Sequence, residues 1–300
     1  MVPGVRLDPL FVSVSRRTPR QGDSPGVGAS TADIALEPRL AARYALSKEV
    51  AFRAAYGQYR QPPLVEDLSP VFGNPLLGTA SARHILAGGD FKLGELFGVE
   101  LTAFYTRSRE LSARNPVRSP LIAEALLDVG EGRSYGAQFL LRRNLESGFF
   151  GWVTYTLLRS ERRDRPGGPF RLFDYDQTHV LTALAAYELG LGFDVSGRVR
   201  YATGFPRTPV IASTYDTRRD LYEPVLGAHN SVRIPAFVQL DLRVAKRFKL
   251  GGSELEAYLD VQNVTNRENP EEIAYGPDYR ERRYVYGLPV LPVVGGKWSF

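Results

Sequence analysis

The sequence predicts an all-β fold, a transmembrane antiparallel up-and-down β-barrel. One observation is that the chain divides into long stretches in which apolar and polar residues alternate, as in strands with one apolar and one polar face. Another is that the connections between these stretches are in turn short and long. In a barrel of the outer-membrane type, tight turns lie at one end and long loops at the other.

The order of the connections repeats to the C-terminus. The short connections fall near residues 47–49, 94–96, 146–148, 190–191 and 249–252. The long connections fall near residues 18–31, 60–80, 110–130, 162–174, 204–234 and 266–286. A soluble sheet has no reason to keep all of its long loops at one end, so this order favours a membrane barrel.

About twelve candidate strands account for most of the chain. They lie near residues 3–17, 33–46, 49–59, 82–93, 97–108, 131–144, 148–160, 175–189, 191–203, 235–248, 253–265 and 288–300. Most have at least about ten residues, whereas strands in soluble sheets average about five to six. Ten residues at about 3.3 Å each, tilted by about 45°, cross about 25 Å, which is the height of the apolar band of a barrel.

The alternation is clearest in residues 193–201, 238–244 and 255–262, where each apolar residue is followed by a polar or charged one. The polar sides of these strands would line a wide aqueous interior. In residues 177–189 both alternating sets are largely apolar, so the sequence leaves open which set faces lipid. Within the long connection at 110–130, Ser119 and Pro120 precede apolar residues at helical spacing, which predicts a short helix.

Composition excludes several classes of protein. The net charge is +5 and the isoelectric point is near 9.4, but the arginines are spread through every segment without a basic stripe. We therefore do not expect nucleic-acid binding. An apolar content of 43% is sufficient for a folded core. No run approaches eighteen apolar residues, which excludes a transmembrane helix. The sequence contains no cysteine. The absence of cysteine fits an oxidising compartment.

Catalytic and metal-binding patterns are weak. Asp174 and Asp176 precede His179. Because residues two apart on a strand share a face, His179 would point away from both aspartates. We therefore interpret these three as polar residues at the end of a strand, and not as metal ligands. His84 and His229 are isolated. The segment from Gly26 to residue 31 departs from the dinucleotide-binding fingerprint. We predict no catalytic residue, metal site or cofactor, and no enzyme activity.

Two alternatives stay open from the residues alone. A self-sufficient smaller barrel could act as a passive pore or as an outer-membrane lipase. A soluble β-propeller serving as a binding module would also fit a hairpin period of about 45–60 residues, although propeller blades use four short strands each.

Several motifs occur in the order in which one known family carries them. They are Tyr56-Gly57-Gln58-Tyr59-Arg60-Gln61-Pro62-Pro63, Gly73-Asn74-Pro75-Leu76-Leu77, Tyr135-Gly136-Ala137-Gln138-Phe139, Tyr175-Asp176-Gln177-Thr178-His179, Gly204-Phe205-Pro206-Arg207-Thr208-Pro209 and Asp260-Val261-Gln262-Asn263-Val264-Thr265-Asn266-Arg267. The chain ends on Trp298-Ser299-Phe300. Together they resemble the C-terminal part of the barrel of a TonB-dependent outer-membrane receptor.

The resemblance implies a location in the outer membrane and the import of a scarce ligand such as a ferric siderophore. Family members have a 22-stranded barrel, an N-terminal plug and a short box that binds TonB. Residues 1–300 would form one domain, the C-terminal part of that barrel. Neither a plug nor a signal peptide is visible in the sequence, because Met1 to Arg6 lack a basic and then an apolar region. We therefore expect a fragment that would not transport by itself.

The expected partners are outer-membrane lipid, the barrel assembly machinery, a small-molecule ligand and, through the missing plug region, TonB. The candidate ligand-binding residues are Arg198, Arg200 and Arg243 on strands, and Tyr215, Arg218, Arg219 and Tyr222 in a long loop. Arginine forks and tyrosine rings in these positions suit an anionic or polar ligand. By the resemblance, Trp298 and Phe300 would form the signal that the assembly machinery reads.

Overall fold

The computed structural model of the protein describes residues 1–14 and 28–300, with the backbone alone for Leu250. Its strands are β1 (Val2–Ser13), β2 (Ser30–Ala45), β3 (Val50–Gln61), β4 (Ala80–Leu93), β5 (Phe97–Arg114), β6 (Leu126–Glu146), β7 (Phe149–Arg163), β8 (Arg171–Leu172), β9 (His179–Gly190), β10 (Phe193–Ala202), β11 (Pro206–Arg207), β12 (Val210–Asp216), β13 (Leu221–Leu226), β14 (Val232–Arg233), β15 (Phe237–Leu250), β16 (Ser253–Gln262), β17 (Pro270–Tyr275), β18 (Arg282–Tyr286) and β19 (Leu291–Ser299). A 3-10 turn covers Glu66–Leu68, and these described ranges contain no α-helix. No helix in them has the length and apolar character to cross a membrane.

Twelve long strands form one antiparallel sheet in the order β1-β2-β3-β4-β5-β6-β7-β9-β10-β15-β16-β19, and β8 extends it beside β7. Each long strand therefore pairs with the long strands before and after it in the chain. Three further two-stranded sheets, β11–β14, β12–β13 and β17–β18, lie in the long loops. One continuous up-and-down sheet excludes a β-propeller, in which every blade is a separate sheet of about four strands.

All twelve predicted long strands are confirmed, because length and alternation specify them without help from the loops. Residues 15–27 lie outside the described residues. They include the end of the first predicted strand, most of the predicted connection at 18–31, and Gly26 of the glycine pattern. The small strands of the long loops were missed. Several of them have only two residues, too few to show a period.

The short helix predicted after Ser119 is wrong. Residues 115–125 form bends and turns up to the start of β6. The amide of Ala123 donates to the carbonyl of Pro70 at 2.8 Å, and the amide of Ala125 donates to the carbonyl of Gly73 at 3.1 Å. These amides bind a neighbouring loop instead of a preceding turn of helix, and Ala123 has a φ of 65° that no helix accommodates.

The register divides the sheet into two faces. On the apolar face, Leu242 of β15 lies opposite Gly197 of β10 and Val261 of β16. On the polar face, Gln239 and Asp241 of the same strand are buried although both are polar. The long strands therefore turn one side chain in two toward each face, as an enclosed aqueous interior and a lipid-facing exterior require.

The register also resolves β9, whose phase the sequence left open. Leu181, Ala183 and Tyr187 lie opposite Tyr201, Val199 and Val195 of β10, so this set belongs to the apolar face. The opposite set, with Val180 and Leu184, belongs to the polar face. A strand with small apolar residues on both sides has its phase fixed by its neighbours, not by its own pattern.

Aromatic residues of the apolar face cluster toward both ends of the strands. Near the short turns they are Tyr44, Phe52, Phe91, Phe97, Phe149, Tyr187, Phe193, Phe248 and Trp298. Toward the long loops they are Tyr56, Tyr105, Tyr135, Tyr155 and Tyr201. Aromatic girdles above and below an apolar band are typical of barrels that span a lipid bilayer.

Candidate ligand-binding site

The three predicted strand arginines all lie on the polar face of the sheet. In the register of β10 and β15, Arg198 lies opposite Asp241, Arg200 lies opposite Gln239, and Ser196 lies opposite Arg243. The alternation of both strands brings the three arginines to one side, with Arg198 and Arg200 two residues apart on β10 and Arg243 on β15. The structure thus places all three on the face that the alternation predicts, and their contact with a ligand stays a prediction.

Asp241 fixes the position of Arg198. The Nε and Nη2 groups of Arg198 donate to the same oxygen of Asp241, at 3.0 and 2.7 Å. The other carboxylate oxygen accepts from the side chain of Gln239 at 2.5 Å and from the backbone amide of Asn263 at 2.9 Å. Asp241 is only 5% exposed, so these donors replace the water that it has lost.

Asn263 ends β16 and explains one of the sequence motifs. Its side-chain amide donates to the carbonyls of Arg267 at 3.0 Å and of Leu288 at 3.2 Å, so it holds the start of the last long loop against the segment before β19. Its φ of 49° is left-handed, which Asn tolerates better than most residues. The sequence motif marked this position, but only the fold reveals its contact with Asp241.

Arg243 and Arg198 border a small cavity on the polar face. Arg243 donates to Glu256 of β16 at 2.7 Å, and its guanidinium lies 3.8 Å from the ring centroid of Tyr258. The cavity has a volume of about 190 Å³, and Asp260 also contributes to its wall. Both arginines are tied to carboxylates, so the wall of this cavity is charged and preorganised.

Arg200 lines a larger cavity beneath the loops, with a volume of about 440 Å³. One of its terminal nitrogens donates to Gln239 at 2.7 Å, and its guanidinium lies 5.3 Å from the ring centroid of Phe237. Its Nε is buried and has no hydrogen-bond partner in the structure. Phe205, Pro270 and Glu271 also line this cavity, and their side chains would contact a bound ligand.

This larger cavity can accept an anionic group beside an aromatic surface. A buried N–H group without a partner is costly unless an acceptor reaches it. A carboxylate or catecholate oxygen of a ligand would supply that acceptor, while Phe205 and Phe237 would contact apolar or aromatic parts of the ligand.

The four predicted loop residues lie together at the tip of the β12–β13 hairpin. Tyr215 and Tyr222 are opposite one another, with ring centroids 5.0 Å apart, and the hydroxyl of Tyr215 donates to Asp220. The Nε of Arg219 donates to Asp216 at 2.7 Å, and Arg219 also binds Glu223. The sequence did not predict the β12–β13 hairpin, although it predicted these four residues as candidate ligand contacts.

These contacts within the β12–β13 hairpin determine which of its arginines is available to bind a ligand. The hydrogen bond from Arg219 holds the pKa of Asp216 below its ordinary value, and backbone amides contribute in the same direction. Arg219 is therefore committed to two carboxylates of its own hairpin. The side chain of Arg218 has no recorded polar partner within the described residues. The strand arginines and the hairpin residues are two separate groups, since no contact between them is recorded in this part of the chain.

Arg207 of β11 connects the β11–β14 sheet with the β17–β18 hairpin above the cavity. Its Nε and Nη2 groups donate to the two oxygens of Glu272 at 2.7 and 2.8 Å, a bidentate pair. The hydrogen bond from Arg207 lowers the pKa of Glu272. Close by, the hydroxyl of Ser213 donates to the carbonyl of Asp278 at 2.7 Å. Apart from the position of Arg207 in a motif, no sequence pattern predicts this pairing.

The aspartates near His179 have structural partners. Asp176 is fully buried and accepts from the amide of Ser160 at 2.6 Å, from the hydroxyl of Thr178 at 3.2 Å, and from Arg233. His179 lies instead against Tyr155, with 2.7 Å between Nδ1 and the hydroxyl oxygen. Across the described ranges, no group of three or more His, Cys, Asp or Glu residues could hold a metal ion.

The two predicted assembly residues lie at the last strand of the sheet. Trp298 is on the apolar face of β19, opposite Leu255, and is 64% exposed. Phe300 follows β19 and is fully exposed. Both rings are therefore available for contact with lipid or with another protein.

A continuous meander of long strands, with an apolar face between aromatic girdles, a polar face and long loops at one end, is the architecture of an outer-membrane-type β-barrel. The family model for "TonB dependent receptor-like, beta-barrel" matches residues 1–264. The chain belongs to that family, which consists of receptors and transporters and not of enzymes. A search of curated proteins finds no match.

Solved structures share the fold. The ferric-catecholate import receptor Fiu from Escherichia coli K12 is 15% identical, with a TM-score of 0.64 over 98% of this chain and 41% of that one. The FrpB iron transporter from Neisseria meningitidis is 17% identical, with a TM-score of 0.64 over 98% and 42%. The ferric citrate transporter FecA is 16% identical, with a TM-score of 0.65 over 91% and 40%. The chain thus spans about two fifths of the length of these structures.

Proposed function

We propose that this chain forms part of the barrel of an outer-membrane receptor that imports a ferric siderophore in a TonB-dependent manner. The observation that carries the proposal is Arg200, a half-buried arginine with an unpartnered Nε in a cavity beneath long loops. Similar structures are named as receptors for ferric catecholate, ferric citrate and ferripyoverdine. Such complexes carry negative oxygen atoms, which suit an arginine fork.

In this proposal, residues 1–300 supply strands, outer loops and part of the ligand site, and the complete receptor supplies the rest. Energised transport needs a plug within the barrel and a segment that binds TonB, so TonB acts on the complete receptor. The apolar face contacts outer-membrane lipid. Trp298 and Phe300 provide the contact with the barrel assembly machinery.

The ligand site is tested by substitution in the complete receptor. Arg200→Ala should weaken the binding of an anionic ferric siderophore by at least about tenfold, because a hydrogen bond to a charged group contributes about 1.5–3 kcal/mol. Binding is measured by fluorescence titration with ferric catecholate, ferric citrate and ferripyoverdine as separate probes. These probes also determine which class of ligand the site prefers.

The matched control is Arg142→Ala, which removes an exposed arginine of the polar face near the short turn after β6. It should leave the affinity unchanged. A second variant replaces Tyr215, Arg218, Arg219 and Tyr222 together by alanine and tests the hairpin group. If Arg200→Ala and the hairpin variant both bind all three probes as the parent does, the ligand site is not where we propose.

The assembly contact is tested separately with Phe300→Ala. We expect a smaller fraction of the receptor to reach the folded, heat-modifiable form in outer membranes, measured by the shift in electrophoretic mobility between heated and unheated samples. Leu288→Ala, which removes an exposed apolar side chain before β19, is the control. Equal folded fractions for Phe300→Ala and the parent would remove this role for Phe300.

The passive-pore and lipase alternatives remain predictions. Single-channel conductance of the complete protein in a planar bilayer tests the pore. Hydrolysis of a phospholipid ester tests the lipase.

A further inference from the structure

Seven arginines lie at the loop end of the apolar face, on β3 to β7. We call them the outer arginine patch, and its members are Arg60, Arg83, Arg107, Arg109, Arg133, Arg159 and Arg163. Within the patch, Arg83 lies directly opposite Arg107, and Arg107 lies directly opposite Arg133. Three arginines thus form one row across three neighbouring strands, about 4.8 Å from one strand to the next.

Two glutamates lie among the arginines on the same face of the sheet, with Glu161 opposite Arg133 and Glu131 opposite Arg163, and they hold the patch in place. Glu161 is 4% exposed and binds Arg133 at 2.6 Å and Arg159 at 2.7 Å. Glu131 binds Arg163 at 2.6 Å and Arg107 at 3.2 Å. The side chains of Glu161 and Glu131 are 4% and 16% exposed, whereas those of Arg107, Arg133 and Arg159 are 44%, 38% and 55% exposed. Each of these three arginines is therefore restrained by a carboxylate and still partly exposed.

Phe170, from the loop after β7, adds a further restraint. Its ring centroid lies 4.1 Å from the guanidinium carbon of Arg133 and 4.9 Å from that of Arg163. Cation–π contacts of this kind orient guanidinium groups without using their hydrogen-bond donors. The patch is consequently ordered by contacts that leave donors free.

The patch carries more positive charge than its own carboxylates neutralise. Arg60 binds a third glutamate, Glu110, at 3.2 Å. Arg83 and Arg109 are exposed and have no recorded ion-pair partner in the described part of the chain. Seven arginines against three glutamates leave an excess of four positive charges. Like charges directly opposite on neighbouring strands are destabilising, so the patch is a site that an anion would stabilise.

The boundary between this charge and the apolar band is sharp. Arg107 and Arg133 each lie two residues from a tyrosine on the same face, Tyr105 and Tyr135. The ring centroids of these two tyrosines are 6.5 Å apart, and the rings are stacked. The next row on these two strands is alanine, Ala103 opposite Ala137. A strip of arginine, then tyrosine, then small apolar side chains is complementary to a lipid, with its headgroup, interfacial region and acyl chains in that order.

The patch is also confined to one sector of the sheet. On the other long strands, the residues toward the loops on the apolar face include His179 and Leu181 on β9 and Phe11, Ile34, Tyr201, Val238, Val261 and Pro292 elsewhere, none of which is an arginine. An even collar of charge would be expected if the arginines served solubility alone. Their concentration on five strands points to one bound species.

We propose that the outer arginine patch binds the phosphate groups of a phosphorylated membrane lipid, whose acyl chains lie against the tyrosine and alanine rows of β5 and β6. The inference rests on the membrane location proposed above, but it concerns the outside of the barrel and not the ligand cavity. Arginine forks recognise phosphate through charge-assisted, often bidentate hydrogen bonds. The row from Arg83 to Arg133 extends about 10 Å, which accommodates a headgroup with two phosphates.

The test uses the complete receptor in nanodiscs made of phosphatidylcholine, to which one lipid probe is added. The probes are bisphosphorylated lipid A and the same lipid A after removal of both phosphates, and native mass spectrometry counts the lipid retained per receptor. We expect the phosphorylated probe to be retained at least about tenfold more than the dephosphorylated one. Equal retention of the two probes would overturn the proposal.

A third arm uses inorganic phosphate as a competitor. Millimolar inorganic phosphate should displace little lipid A, because it lacks the acyl chains that contact the tyrosine and alanine rows. Full displacement would mean that the patch is a site for free phosphate, and the lipid assignment would be wrong.

The variants localise the binding. Arg83→Ala removes an exposed arginine without an ion-pair partner, so we expect the fold to be retained, and lipid A retention should fall about tenfold. Arg83→Lys should lose less, because it keeps the charge but not the fork. Arg142→Ala on the polar face should have no effect. Parent-like retention by Arg83→Ala and by the Arg83→Ala/Arg107→Ala double variant would exclude the patch as the site.

The lipid experiment and the ligand experiment fail independently. Arg83→Ala should bind ferric siderophore as the parent does, since Arg83 lies on the outer face. A receptor that binds siderophore but does not discriminate between the two lipid probes rejects only the lipid inference. A receptor that retains lipid A through Arg83 but binds no siderophore rejects only the ligand proposal.

Discussion

Asp176 is a fully buried carboxylate at the loop end of the sheet, and its partners come from separate segments of the chain. Ser160 lies at the end of β7, Thr178 precedes β9, and Arg233 belongs to β14. Arg233 also donates to the carbonyls of Asp176 and Gly204, both at 2.9 Å. The side chain of Asp176 therefore connects two long loops with the sheet.

We predict that Asp176→Ala destabilises the complete receptor by about 3–5 kcal/mol, because it leaves a partly buried guanidinium without its carboxylate. The measurement is the urea unfolding free energy in detergent, together with amide hydrogen exchange at Ser160, which should become faster.

Asp174→Ala is the matched control for Asp176→Ala. The side chain of Asp174 is 52% exposed, so its ion pairs should contribute at most about 1 kcal/mol. If both variants unfold alike and the exchange of Ser160 is unchanged, Asp176 does not connect these segments.

Gly136 of β6 is required by the close approach of the neighbouring strand. A Cβ at this position would lie 2.0 Å from the backbone carbonyl oxygen of Leu157 on β7. We predict that Gly136→Ala costs about 1–3 kcal/mol, since the two strands must separate. The readout is again the urea unfolding free energy.

Gly296→Ala is the control for Gly136→Ala, because a Cβ there would meet its nearest atom at an ordinary 3.5 Å. This change, also within a strand, should stay within about 0.5 kcal/mol of the parent. An equal cost at both glycines would show that loss of glycine, and not the approach of Leu157, matters.

The sequence predicted single residues only where a local pattern carried the information. Alternation placed Arg198, Arg200 and Arg243 on the polar face, because position in a strand determines the face. The partner of Asp176 could not be predicted, since Arg233 is 57 positions away and the two meet only after two loops have folded. The free Nε of Arg200 likewise depends on what surrounds it in three dimensions.

Among the elements, the long strands and the loop hairpins differ in how the sequence specifies them. β5 and β6 each continue over many residues with one periodicity, so the twelve long strands follow from the pattern. The β12–β13 and β17–β18 hairpins are shorter and lie in polar connections. They are held together by contacts between loops, such as that of Ser213 in β12 with Asp278 between β17 and β18, and β11 is joined to β17 by the contact of Arg207 with Glu272.

The link between β11 and the β17–β18 hairpin should depend on pH. The pKa of Glu272 is lowered in the fold by its hydrogen bond with Arg207, so the link is fully present above the ordinary pKa of a glutamate and is lost as pH falls through the lowered pKa. We predict that amide exchange in β17 rises as pH is lowered from 6 to 3, after correction for intrinsic exchange rates. Because the Glu272 side chain is 52% exposed, the change should correspond to about 1 kcal/mol or less.

Glu272→Gln is the control for this titration, because an amide cannot titrate. Its exchange in β17 should be faster than that of the parent at pH 6 and nearly independent of pH. A parent whose corrected exchange does not change over this range would contradict the role assigned to the Arg207–Glu272 pair.

At the scale of the whole molecule, the two faces of the sheet differ in composition, and we propose a different function for each. The polar face carries the arginines and cavities of the proposed ligand site, and the apolar face carries the aromatic girdles and the outer arginine patch. The order of the long strands and loops was predictable from the sequence, because long strands that follow one another in the chain are neighbours in the sheet. The outer arginine patch was not, since it depends on the register of five strands and not on spacing within any one of them.

The most direct measurement of these environments is a spin-label scan along β15 of the complete receptor in lipid bilayers. The described chain has no cysteine, so single substitutions from Gln239→Cys to Val244→Cys label one position each. Collision with oxygen, which concentrates in acyl chains, is compared with collision with a water-soluble nickel chelate. Labels at 240, 242 and 244 should favour oxygen, and labels at 239, 241 and 243 should favour the nickel chelate, with a period of two residues. Uniform access of the nickel chelate to all six positions would contradict a lipid-facing side of the sheet and, with it, the proposed receptor.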